Sequence, residues 1–289
     1  MTTGTPAVND TSKKKKKADD KVDWIAEIRG LALMLLAVFA FHSFIAKPFY
    51  IPSESMMPNL LVGDRLVVSK YPYGWNWSSI SFHLAPRGKW RLFGSTPEYG
   101  DIVIPVHPQR DEDYIKRVVA LPGDRIAVRN GQIILNGPPV EQKVEPAIAL
   151  PLDANSRCDG FGFDDFRSTN ADGKPICRVP VMRETLPNGA TYLIIDHQNQ
   201  DLDNFPEITV PEDHVFVMGD NRVNSADSTV HMCLEGETEC VPGDEFVPTE
   251  LITGRFWLRV WPFSAFGGLE GTDAFDDVPD RSDDAPEAS

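Results

Sequence analysis

Ser53 and Ser55 stand two positions apart in the stretch SESMMPNL, residues 53–60. On an extended chain that spacing turns both hydroxyls to one face. A serine hydroxyl is a weak nucleophile and needs a base to take its proton. The chain has six histidines, His42, His83, His107, His197, His214 and His231. His42 lies inside an apolar run and the others sit in no tight motif, although a fold can bring a distant histidine to a serine. Lysine is the other option. Its ordinary pKa of about 10.4 requires desolvation before the amine can act as a base near neutrality. The stretch DYIKRVVALPGD, residues 113–124, supplies Lys116. On a strand, Tyr114, Lys116, Val118 and Ala120 share one face, an apolar and aromatic row. The competing reading sends the Lys116 amine to solvent from an edge strand. A third stretch, GDNRVNSADS at 219–228, opens with residue types that favour a turn. No metal-ligand spacing and no nucleotide-binding loop is present, so no cofactor or metal is expected.

These side chains need elements to hold them. The 289 residues carry a formal net charge of −15, which argues against nucleic acid as a partner. From Trp24 to Ala46 the chain is predominantly apolar, long enough to span a bilayer of roughly 30 Å as a helix. The run continues into KPFYIP rather than a cleavage site, which favours an uncleaved anchor. Lys13 to Lys17, Lys21 and Arg29 precede or open the run, so the positive-inside rule puts the N-terminus in the cytoplasm and everything from residue 47 outside. Short β-like runs follow at 64–70, 100–106, 113–121, 124–130, 132–136, 191–196, 214–220 and 255–261, bounded by turn residues. Asn130-Gly131 between two of them predicts a tight hairpin. Residues 141–190 read as a polar, irregular insertion. Residues 71–94 hold three of the six tryptophans, a composition suited to the bilayer interface. Both tails, 1–22 and 269–289, are too poor in apolar residues to fold. Four cysteines lie on the outer side, where disulfides persist. Cys158–Cys177 and Cys233–Cys240 are the expected pairs, because each brackets one irregular stretch.

The stretches IPSESMMPNL, GDRLVVSKY, GDIVIPV, DYIKRVVALPGD and VFVMGDNRVNSADS occur in the order found in bacterial type I signal peptidases. The sequence resembles that family, the Ser/Lys membrane enzymes (S26, leader peptidases) that remove signal peptides, over the anchor, most of 47–128 and 212–260. The resemblance implies Ser55 as nucleophile and Lys116 as general base. It implies Ser53 as an oxyanion-hole donor with the Ser55 backbone N–H, and Ser225 as the residue that orients Lys116. Asp220 and Arg117 match a supporting ion pair, Asp227 a structural carboxylate, and Gly219 and Asn221 the same turn. Phe49, Ile51, Met56, Ile104 and Ile115 match the lining of two shallow pockets for small residues. An Ala-X-Ala-like cleavage site in exported preproteins, bound as an added β-strand, is the implied substrate. Two departures stand out. Glu54 replaces a frequent glycine, and Thr229 replaces a frequent arginine, which leaves Asp227 without the family's partner. The expected architecture is mostly β: an N-terminal transmembrane helix at 23–46, then an extracytoplasmic antiparallel β catalytic core at 47–128 and 211–268, with a second β subdomain inserted at 129–210. The expected location is the cytoplasmic membrane. An inactive membrane-anchored module of the same fold is the main alternative, with a soluble self-cleaving relative and a Ser/His enzyme behind it.

Overall fold

The computed structural model of the protein describes residues 23–80, 88, 90–107, 112–153, 157–230 and 245–269. Residues 1–22 and 270–289, together with His83, His231, Cys233 and Cys240, lie outside the described residues, as does part of the tryptophan-rich stretch.

Helix α1 runs Trp24–Phe44. Asp23 opens it, its side chain accepting from the backbone N–H groups of Ile25 at 3.1 Å and Ala26 at 3.3 Å. At 1.5 Å per residue its 21 residues are about 31 Å long, close to the thickness of a bilayer's hydrocarbon core. Trp24, Ile25, Leu33 and Leu36 are all more than half exposed. Among the described residues this is the one helix long and apolar enough to cross a membrane.

Residues 39–289 form a second compact unit. Its described part is built from strands β1 (Ala46–Tyr50), β2 (Arg65–Ser69), β3 (Trp75–Asn76), β4 (Arg91–Leu92), β5 (Ile102–Pro105), β6 (Lys116–Ala120), β7 (Arg125–Arg129), β8 (Gln132–Leu135), β9 (Glu141–Pro151), β10 (Arg167–Thr169), β11 (Pro175–Thr185), β12 (Thr191–Ile194), β13 (Phe205–Thr209), β14 (His214–Met218), β15 (Val247–Pro248) and β16 (Ile252–Trp261). Each of the eight β-like runs contains or overlaps one of these strands. Seven strands make an antiparallel sheet in the order β1-β2-β16-β5-β6-β14-β15. Strand β6 lies between β5 and β14, with all five residues buried, as a strand covered on both faces requires. Strands β7 and β8 form the expected hairpin, with Arg129 opposite Gln132. Asn130 and Gly131 both take positive φ, 48° and 78°, the backbone of a type I′ turn.

Residues 141–190 differ from the expectation. They are not irregular: β9 and β11, eleven residues each, pair antiparallel from Glu141↔Thr185 to Pro151↔Ile176. Pro146 and Pro180 hid them. A proline removes a ladder donor and reads against a strand, but both fall where the register shifts between Val179 and Val181, so a bulge absorbs them. One hydrophobic core joins Val119, Ala120 and Phe216 to Leu186, Tyr192 and Ile194. A second packs Met57 and Leu61 against Leu150, Val179 and the disulfide Cys158–Cys177.

Candidate active site

Ser55 sits in a single 3-10 turn, Glu54–Met56, directly after the extended residue Ser53. The turn is tied down from a distant part of the chain. The Asn221 backbone N–H donates to the Ser55 carbonyl at 3.0 Å, and Asn221 Nδ2 donates to the Glu54 carbonyl at 3.2 Å. Asn59, four residues on, donates to Asp220 and to the Leu193 carbonyl, both at 2.7 Å. Nothing in the composition of SESMMPNL marks Asn59 as such a fastener.

Lys116 opens β6. Successive residues of a strand point to opposite faces, and the two neighbours here do different work. Lys116 Nζ reaches Ser55 Oγ at 3.0 Å and the Ile115 carbonyl at 3.1 Å. Burial pushes the Lys116 amine below the ordinary lysine range, and the negative charges of Asp227 and Asp220 oppose that shift in part. Arg117 binds Asp220 through two parallel hydrogen bonds of 2.7 Å, from Nε and Nη2. Its guanidinium also stacks 4.1 Å from the Tyr192 ring centroid. Both ions are buried. Removing either partner of such a pair would leave an uncompensated charge, typically costing about 3–5 kcal/mol. Tyr192 in turn donates to Glu184 at 2.5 Å, and Glu184 holds Arg222 at 2.5 Å. Arg222 Nε donates back to the Gly219 carbonyl at 3.0 Å. This second buried pair, reaching from β11 to the turn, had no signal in the sequence beyond the arginine of GDNR.

Gly219 is needed for its small size. A Cβ there would collide with the Ser225 hydroxyl and come within 2.6 Å of the Ser55 carbonyl. Ser225 lies against Gly219, but its Oγ is buried with no hydrogen-bond partner among the described residues and does not bond Lys116 in this structure. Asp227 has no arginine partner among the described residues, as Thr229 implies, yet its carboxylate is satisfied. Thr229 itself bonds it, with its Oγ1 at 2.8 Å and its backbone N–H at 3.1 Å from Asp227 Oδ1. The other carboxylate oxygen accepts from the Gly219 N–H at 2.9 Å. A threonine at 229 reaches the carboxylate locally, so no arginine is required to satisfy it.

Ser53 Oγ lies 3.4 Å from Ser55 Oγ. Both open into a groove whose first wall is residues 49–53 and whose second is residues 113–116, with Ile104 between. Phe49, Ile51 and Ile115 line it as expected, and Tyr50, Pro52, Asp113 and Tyr114 join them. Met56 does not. It is fully buried beneath the groove, packed with Ile51, Leu60 and Ile104, because the 3-10 turn that presents Ser55 points the next side chain inward. Among the described residues, no histidine hydrogen-bonds the Ser55 hydroxyl, whose partners are Lys116 and Ser53.

A serine paired with a buried lysine amine defines a class: serine hydrolases in which lysine replaces histidine as the base. Residues 23–261 match the family described as signal peptidase, peptidase S26. The chain is 31% identical over 219 residues to signal peptidase I of Rickettsia bellii strain OSU 85-389, covering 71% of this chain and 66% of that one, just under two-thirds of the relative's length. It is 32% identical over 218 residues to signal peptidase I of Rickettsia typhi, covering 71% and 73%. It is 29% identical over 261 residues to the probable signal peptidase I-1 of Synechocystis sp., covering 87% of each. The chain belongs to the signal peptidase family, peptidase S26.

Proposed function

We propose that this chain removes N-terminal signal peptides from exported preproteins with Ser55 as nucleophile and Lys116 as general base. The observation that carries this reading is the 3.0 Å contact between the buried Lys116 amine and Ser55 Oγ. As a neutral amine Lys116 takes the Ser55 proton while Oγ attacks the scissile carbonyl. The carbonyl oxygen becomes an oxyanion, stabilised by the Ser53 hydroxyl and the Ser55 N–H. Such donors are typically worth about 2.7–4 kcal/mol to the transition state. The protonated lysine then gives its proton to the departing amine as the C–N bond breaks, leaving an acyl-enzyme. Water, deprotonated by the same lysine, attacks the ester and regenerates Ser55. Ser225 orients Lys116 once substrate fills the site, a role its unpartnered buried hydroxyl supports. Asp220, Arg117, Asp227, Gly219 and Asn221 keep the turn against the nucleophile.

The signal peptide lies extended along the groove as an added strand, with the first and third residues before the scissile bond turned inward. The apolar lining from Phe49, Ile51, Ile104 and Ile115 suits small apolar side chains there, an Ala-X-Ala-like pattern. The lysines before α1 favour a cytoplasmic N-terminus and an extracytoplasmic site on the cytoplasmic membrane. Exposed Leu92 and Phe93, with half-buried Trp75, support contact of this side with the bilayer surface. Incubating purified protein with a preprotein, beside Ser55→Ala, tests the reading. Cleavage at the signal junction that vanishes in Ser55→Ala is expected, and no cleavage by the parent protein would overturn it.

A further inference from the structure

A charge pair joins the strand of the groove's first wall to its second wall. Lys47 lies two residues before Phe49 on β1, so both side chains share the face that bounds the groove. Its ammonium passes 4.6 Å from the Phe49 ring centroid and meets Asp113 Oδ2 at 2.9 Å. Asp113 belongs to the opposite wall. The two residues are 66 apart in sequence, and both are mostly covered, with side chains 29% and 17% exposed.

What holds each wall makes the pair informative. Among the described residues strand β1 is an edge strand, paired to β2 alone. Residues 112–115 precede β6 and are fastened on the β5 side, by Tyr114 N–H to the Pro105 carbonyl at 3.0 Å and His107 N–H to the Glu112 carbonyl at 2.8 Å. Among the described residues no strand ladder joins β1 to this segment to set their spacing. The Lys47–Asp113 pair spans that gap directly.

We propose that the Lys47–Asp113 ion pair is a specificity-determining clamp. By tying β1 to residues 113–115 it fixes the width of the groove, and so the size of side chain admitted third before the scissile bond. The clamp rests on the signal-peptide reading above and adds to it a residue pair outside the catalytic group. Neither residue touches the reacting atoms, so both act by position.

The test uses the full chain in detergent and a preprotein series carrying Ala, Val or Leu at that third position. The parent discriminates against Leu. Lys47→Met and the near-isosteric Asp113→Asn each lower that discrimination by about tenfold, the scale on which a pocket senses a few methylene groups. The change appears as a lower KM for the Leu substrate. The exchanged pair Lys47→Asp with Asp113→Lys restores the parent's preference to within about twofold, which loss of fold could not produce. Discrimination unchanged in both single variants would overturn the clamp. So would a change that followed the charge of the substrate residue instead of its size, or exchange without restoration. A parent protein that cleaves no member of the series, while folded, would sink the underlying function and not merely the clamp.

Discussion

Lys116 can accept the Ser55 proton only as a neutral amine, and its burial works in that direction. Cleavage therefore rises with pH through the lowered lysine pKa, since the protonated fraction is inactive. The measurement is kcat/KM against pH, and a profile flat from acid to neutral pH would remove lysine as the base. Lys116→Arg keeps the charge but cannot lose its proton, so it abolishes detectable cleavage while the protein stays folded. Lys116→Ala and Ser55→Ala fall equally far, because members of one catalytic unit do not add. Most of this residue-level site was legible. Two serines at a spacing of two, a lysine in an apolar row and a Gly-Asp-Asn turn are local patterns whose chemistry needs no fold to be recognised. Asn59, Tyr192 and Glu184 were not legible, because their work is to contact residues more than a hundred positions away or to bury one another, and neither leaves a local pattern.

At the scale of elements, alternation and punctuation served well where strands were short and clean. The Asn-Gly hairpin is the clearest case. Gly131 takes φ 78° and faces Asp196 closely enough that an added Cβ would strike its carboxylate. Gly131→Ala is expected to lower stability by more than about 1 kcal/mol, read as a drop in the denaturation midpoint with unchanged slope. A stability equal to the parent would mean the turn is not constrained as described. The same rules missed β9 and β11. Both are long, interrupted by proline and half exposed, so their pairing depends on each other and on a bulge instead of on any periodicity within one segment. Met56 was misplaced as well. Its place in the groove was implied by the family resemblance, and the 3-10 turn instead turns its side chain into the core.

For the molecule as a whole, stability carries the cost of buried amines. Lys70 is 1% exposed, donates to the Ser79 carbonyl, and its pKa is lowered to about 8, chiefly by burial and further by Lys47. A lysine depressed when folded binds fewer protons than when unfolded between that value and its ordinary one. Stability therefore increases with pH across this window. From pH 8 to 10 the rise from this group is about 2 kcal/mol, and Lys116 adds in the same sense. Above pH 10 the buried tyrosines, Tyr73 and Tyr192 among them, pull the other way because their pKa is raised. Denaturant titrations at several pH values check this, and Lys70→Met should flatten the rise. A parent protein losing stability from pH 8 to 10 would contradict it. The tie between the serine turn and residues 219–221 has a consequence in time. Asn59 and the Asp220 it grips are 161 residues apart. At translation rates of roughly 5–20 residues per second, the nucleophile leaves the ribosome about ten to thirty seconds before the turn that steadies it exists. During synthesis the growing chain thus carries Ser55 without the residues that hold its turn in place. The serine turn is complete only after residues 219–221 have been made and docked against it.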